Sequence, residues 1–258
     1  MGNGGSRTKD HPRIIVYGAG AVGGYFGGRL AEAGYPVGFV ARGRQLQALR
    51  GDGLRLISPF GELHLPDVTA SQEAADLGPA DVVLLCVKLW DVADAARRCA
   101  DVLAKDGAII PLQNGVEAES EVAAAVGQAH VAGGVAYIGS EVESPGVIRH
   151  VSDFARLVFG ELDGRKSERL AAFLDACKTA GIEARVSDDI HRDIWEKFCF
   201  LAPFAGATAL ARAPIGGVRQ DPTAWERFQT MVHEAAAVGR AMGVQLPEDF
   251  ERKTIDFA

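Results

Sequence analysis

No run of basic residues interrupts the acidic balance of the chain: 27 Lys and Arg stand against 34 Asp and Glu, a net charge of −7. A nucleic-acid partner is therefore not expected. Cysteine is scarce and scattered, Cys86, Cys99, Cys177 and Cys199 forming no CxxC pair and having no histidine set that could complete a zinc site. These four read as buried thiols in a reducing compartment, and no metal is expected. Uncharged stretches such as Phe198 to Ala211, which contains Pro203, are too short to span a bilayer. The first twelve residues lack the apolar core of a signal peptide. Together these absences predict a cytoplasmic protein that engages neither membrane nor nucleic acid. The histidines form no cluster and no G-x-S-x-G elbow occurs, so serine-based acyl transfer has no support.

Glycine is the residue in excess, 31 of 258, and several glycines fall where a backbone must approach something closely. Strand and helix patterns alternate from residue 13. Arg13–Tyr17 reads as a strand, Ala21–Ala33 as a helix and Val37–Ala41 as a second strand, one βαβ unit. A hairpin is expected around Ser58-Pro59-Phe60-Gly61 and a strand at Asp67–Ala70. Val82–Val87 is an apolar run suited to a strand buried on both faces. Further helices are expected at Asp91–Leu103, Glu117–Val126 and Ser167–Ala180, and strands at Ala108–Leu112, Val131–Tyr137, Val147–Val151, Arg156–Glu161 and Glu183–Val186. From Ser187 onward the pattern is helical, with breaks at Gly216-Gly217 and Asp221-Pro222. Trp225, Phe228, Met231, Val232 and Met242 form a helical stripe expected in the core.

The predicted organisation is an α/β chain: a leader, 1–12, expected to be disordered; a Rossmann-type domain, 13–187, with a doubly wound parallel sheet; and a smaller all-α C-terminal domain, 188–258. A final helix begun near Pro247-Glu248 carries no stop signal, so the chain is expected to be truncated and the helical domain incomplete.

Four features carry chemistry. Gly18-Ala19-Gly20-Ala21-Val22-Gly23 follows a strand and opens a helix, the arrangement in which glycines admit a pyrophosphate to free helix N–H groups. The second strand ends in Arg42 where an NAD-binding chain carries an acidic residue. A guanidinium there suits a 2′-phosphate, so the expected cofactor is NADPH. Lys88 and Asn114 each follow an apolar strand, at the carboxyl edge where ligands of parallel sheets bind. They offer an ammonium and an amide to orient cofactor and substrate. Finally, Ile190, Ile194, Phe198 and Leu201 lie at helical spacing and Lys197 falls near or within their stripe. An ammonium there is costly unless used, which points to a general acid for carbonyl reduction.

With these residues assembled, the sequence resembles the ketopantoate reductase family. GAGAVGGYFGGRLAEAG, CVKLWD, LQNGVE, IWEKF and TALARAPIGGVRQDP carry the resemblance, from Arg13 to the end. It implies NADPH-dependent reduction of 2-dehydropantoate to pantoate, in pantothenate and coenzyme A biosynthesis, with Lys197 as proton donor. It further implies Lys88 and Asn114 as cofactor and substrate contacts, Arg42 as ligand of the 2′-phosphate, and Gly139 as a further backbone contact with cofactor. The resemblance leaves a homodimer open. Where the family places substrate-holding asparagines, this chain has Leu201, Ala205 and Ile215. A paralogue acting on another small 2-oxo acid, or an NADPH-binding sensor without chemistry, are the alternatives.

Overall fold

The computed structural model describes residues 11–258; of the expected leader, 1–10 lie outside the described residues, and His11 sets its ring edge-on to Tyr35 at 5.1 Å. The chain divides into two compact units. One contains Gln113 and the described residues before it, together with Glu117–Ile190; the other contains Asn114–Val116 and His191–Ala258.

In the first unit the elements run β1 (Ile14–Tyr17), α1 (Ala21–Glu32), β2 (Val37–Val40), α2 (Gly43–Gly51), β3 (Leu54–Ile57), β4 (Leu63–Leu65) and β5 (Thr69–Ser71). They continue as β6 (Ala80–Leu85), α3 (Val92–Ala100), β7 (Leu103–Pro111), α4 (Ala118–Val126), β8 (Ala132–Ser144), β9 (Val147–Glu161), α5 (Glu168–Thr179) and β10 (Glu183–Val186). β1, β2, β5, β6 and β7 form a five-stranded parallel sheet in the order β5-β2-β1-β6-β7, the expected Rossmann arrangement. The apolar strands at its centre are buried throughout, as helices on both faces require.

The later strands do not extend that sheet. They form a second, mixed sheet, β10-β9-β3-β4 with β8 on β9. Only Pro145 and Gly146 separate β8 from β9, too short a link for a parallel crossover, so the two pair antiparallel. The two expected strands at Val147–Val151 and Arg156–Glu161 are one continuous β9. α3 ends at Ala100, earlier than its apolar pattern suggests, because the chain turns into β7 at Leu103. The hairpin about Ser58–Gly61 is present as β3 and β4.

α1 lies between the sheets, and its glycines explain how. A Cβ at Gly27 would stand 2.6 Å from Val16, and one at Gly24 2.7 Å from Ile148 of β9. Glycine in a helix interior costs about 1 kcal/mol relative to alanine, and here close contact with both sheets offsets it. α3 and α4 pack on the opposite face of the parallel sheet, around Val83, Val92, Ala96 and Val122. Arg169 of α5 joins distant segments: its Nε and Nη2 donate to buried Glu161 at 2.7 and 2.6 Å, and its Nη1 to the Ala129 carbonyl at 2.8 Å.

The second unit holds α6 (Ile190–Ala211), α7 (Ile215–Gln220), α8 (Pro222–Ala241) and α9 (Phe250–Phe257). Asp221 caps α8, its carboxylate accepting from the N–H groups of Thr223 and Ala224, with Pro222 at the first helical position. Trp195, Cys199, Ala236, Leu246 and Phe250 form one apolar cluster; Ala207, Val218, Phe228 and Val232 form another. Met242 departs from the expected core stripe, being 71% exposed, because α8 has ended at Ala241 and its helical periodicity no longer applies.

Candidate active site

Tyr17, Val40, Leu85 and Pro111 are register neighbours at the carboxyl ends of four parallel strands. The segments that follow emerge along one edge: the glycine loop, Arg42, Lys88 and Gln113. This is the edge at which such sheets bind ligands.

The loop is built to bring backbone close to a guest. Gly18 has φ +104°, and a Cβ there would lie 2.9 Å from the Cys86 carbonyl carbon. The N–H groups of Gly18 and Ala19 both donate to the Val40 carbonyl, at 3.0 and 3.1 Å. Gly23 presses α1 onto β1, its missing Cβ leaving room for the Gly18 carbonyl and Val16. Gly20 is different: a Cβ there would meet nothing, so the space beside the helix N-cap is open. The first turn of α1, begun by Ala21 and Val22, contains no acidic residue. An open helix N-terminus without competing carboxylates fits a pyrophosphate.

Arg42 is the N-cap residue of α2, in extended conformation and exposed; its carbonyl accepts from Leu46 N–H, and among the described residues its guanidinium has no hydrogen bond or ion pair. Lys88 is likewise exposed and unpaired among the described residues. Beside it Trp90 is 82% exposed. Two glutamines, missed in the sequence, hold the edge together. Gln45 of α2 donates to the Ala19 carbonyl at 2.8 Å and accepts from Gly146 N–H at 3.0 Å, pinning the glycine loop to the β8–β9 turn. Gln113 donates to the carbonyls of Leu85 and Val87, both at 2.9 Å, and its Oε1 is buried without a partner among the described residues. A hydrophilic residue directly before Asn114 was the available signal for Gln113; Gln45 offered none. Gly139 sits at an irregularity in β8, and its N–H donates to the Ser152 hydroxyl at 2.8 Å.

In the second unit the structure joins two residues far apart in sequence. Lys197 Nζ of α6 donates to Asn114 Oδ1 at 2.9 Å. Burial lowers the Lys197 ammonium from 10.5 to about 8. Aromatic packing holds this turn of the helix in place: the Trp195 ring abuts Gly239 of α8 and meets Phe198 edge-on at 5.5 Å. Among the described residues no group of His, Cys, Asp or Glu could hold a metal ion. Burial pushes the Cys86 and Cys99 thiols up to about 12, which leaves them unreactive.

A parallel sheet with a glycine cradle, joined to a helical unit whose lysine is held by an amide and shifted toward neutrality, defines an oxidoreductase of the dinucleotide-binding α/β class. The family described as Ketopantoate reductase PanE/ApbA matches residues 14–164, and its C-terminal counterpart matches residues 189–258. The chain belongs to this family. It is 32% identical over 262 residues to 2-dehydropantoate 2-reductase of Mesorhizobium japonicum, covering 93% of this chain and 80% of the relative. The crystal structure of 2-dehydropantoate 2-reductase from Porphyromonas gingivalis W83 superposes with a TM-score of 0.89 at 27% identity, covering 95% of this chain and 88% of that one. A ternary structure of D-mandelate dehydrogenase with NADH and anilino(oxo)acetate shares the fold, with a TM-score of 0.83 at 21% identity over 95% and 78% of the two chains.

Proposed function

We propose that the protein reduces the 2-oxo group of 2-dehydropantoate to give pantoate, using NADPH, and so serves pantothenate and coenzyme A biosynthesis. The observation that carries this reading is the Lys197–Asn114 pair: an ammonium near neutrality, aimed by an amide. The glycine loop from Gly18 to Gly23 would hold the pyrophosphate, Arg42 the 2′-phosphate, and Lys88 and Asn114 the nicotinamide ribose and the substrate. The reduced nicotinamide, when bound, supplies the hydride. Reduction of a carbonyl leaves charge on its oxygen, and a proton must arrive there. Lys197 Nζ can deliver it. Its hydrogen bond to Asn114 Oδ1 orients the ammonium, while the Asn114 amide N–H can donate to the same substrate oxygen. An ordinary lysine would hold its proton too tightly to act well at neutral pH; a value of about 8 brings it into range. Lys88 offers a fixed positive charge to a substrate carboxylate. Gly139 is proposed as a cofactor contact through its carbonyl, since Ser152 takes its N–H.

The acidic surface and the absence of a described helix long and apolar enough to cross a membrane support a small-molecule enzyme of the cytoplasm, without nucleic-acid or membrane partners. Homodimerisation belongs to the same proposal.

A second reading, reduction of a 2-oxo acid without a hydroxyl on its carbon chain, is favoured by one observation. Leu201 and Ala205 continue the helical face of Lys197, and the hydroxyl of Thr208, one turn on, is tied to the carbonyls of Phe204 and Ala205. The one proton of Thr208 is thus spent on backbone, so none of these three side chains has a donor left for a substrate hydroxyl. Oxidation of NADPH, followed by absorbance with 2-dehydropantoate, pyruvate and a branched 2-oxo acid in parallel, separates the readings. Turnover fastest with 2-dehydropantoate supports the first and preference for the branched acid the second. NADPH binding without turnover on any of them would leave a sensor.

A further inference from the structure

Arg42, the candidate ligand of the 2′-phosphate, stands in a neighbourhood that contains two carboxylates. Asp94 lies on the first turn of α3, and Glu73 follows β5, the strand that pairs with β2. Both are exposed, and Arg42 acts electrostatically on Asp94. Tyr17, at the end of β1, lies within the fields of Arg98, Arg42 and Glu73 together, which places these charges around one strand end. A guanidinium in the same neighbourhood as two carboxylates, yet paired with neither among the described residues, calls for an explanation.

Arg98 of α3 accounts for it. Its Nε donates to Asp94 Oδ2 at 2.8 Å and its Nη1 to Glu73 Oε2 at 3.1 Å, so one guanidinium engages both carboxylates. Arg97 adds a longer contact to Asp94 at 3.6 Å, whereas Glu73 has no other ion-pair partner among the described residues. We propose that Arg98 is a positioning residue for cofactor choice: by holding Glu73 and Asp94 it keeps Arg42 available to a 2′-phosphate and offsets part of the negative charge on its approach. The inference rests on the reading of Arg42 as the 2′-phosphate ligand. A 2′-hydroxyl carries no charge, so the device acts on NADPH and leaves NADH untouched.

Dissociation constants of NADPH and NADH, measured by calorimetry on the full chain, test this without reference to turnover. Exposed ion pairs are individually weak, so freeing two carboxylates is expected to weaken NADPH binding in R98Q by roughly two- to thirtyfold, with NADH changed by a smaller factor. Adding E73Q and D94N to R98Q should restore NADPH affinity to within about threefold of the parent, because no carboxylate is then left to compete. Equal weakening of both cofactors, an unchanged NADPH constant, or failure of the triple variant to recover overturns the proposal. R42Q keeps the two levels apart. If R42Q fails to weaken NADPH selectively, the reading of Arg42 falls; if R42Q does so and R98Q does not, only the role of Arg98 falls.

Discussion

Raising the pH through the Lys197 value should switch off reduction. With the ammonium titrating at about 8, the protonated fraction falls to roughly one-tenth at one unit above that value, and kcat/KM for NADPH-dependent reduction should fall with it, tenfold per unit. Oxidation of the hydroxy acid needs the neutral amine and should rise over the same interval. The same burial has a signed effect on stability. Below about 8 the lysine is protonated in both folded and unfolded chains, and the fold bears the full penalty of holding the charge; between about 8 and 10.5 that penalty is relieved as the folded state loses its proton first. The shift corresponds to about 3 kcal/mol, reduced to roughly 1–3 kcal/mol because the side chain keeps part of its surface in water. Lys197→Met should therefore lower the reduction rate by about 10²–10⁴ at pH 7 while raising Tm by roughly 2–10 °C. Stopped assays across pH 6–10 and thermal melts of both proteins are the measurements. An inflection near 8 that survives in the variant, or a wild-type rate that holds level until the range of an ordinary lysine, would refute the assignment of the proton donor.

Gly23→Ala would drive a methyl group into the Gly18 carbonyl and Val16; a loss of about 1–3 kcal/mol in denaturant unfolding and weaker NADPH binding are expected together. Arg169→Met would strand the buried Glu161 carboxylate and should cost about 3–5 kcal/mol. Burial raises Glu161, but hydrogen bonds from Arg169 and Ser167 carry it net below the usual carboxylate value, so this stabilisation is present above about pH 4.5 and should fade as pH falls below it. Glu119 behaves oppositely. Burial lifts it to about 7, despite hydrogen bonds from its own N–H and that of Gly134, so stability should decline as pH rises from about 4.5 to 7. Glu119→Gln should be more stable than the parent at pH 8, by up to about 3 kcal/mol, and not at pH 4, as urea melts at the two pH values can determine.

The glycine loop, Arg42, Lys88, Asn114 and Lys197 stand out in the sequence as candidates because each carries a local signal: a motif after a strand, a polar group at a strand end, or an ammonium near an apolar stripe. That Asn114 and Lys197 would meet was not legible, since no local pattern links residues on different elements so far apart. α2 escaped notice because GRQLQALRG buries only Leu46 and Leu49, too little apolar signal to register a period. β3 and β4 were read only as a hairpin because four- and three-residue strands barely establish an alternation. The second sheet could not be separated from the first by pattern. Strands buried against α1 from either side carry the same apolar signature, and only the short Pro145-Gly146 link distinguished their direction.

The pairing of β3 with β9, where Arg55 is the register partner of Val147, has a consequence for synthesis. As the chain leaves the ribosome, β1, α1 and β2 emerge early, yet the second face of α1 waits for Ile148, its partner at Gly24. At roughly 5–20 residues per second, Leu54 and Leu56 remain without their partner strand for about 5–20 s. During that interval the nascent hairpin presents an open edge, and its non-local closure is intrinsically slow. Chaperone demand during production should therefore concentrate on chains between β4 and β9, before the last sheet can close.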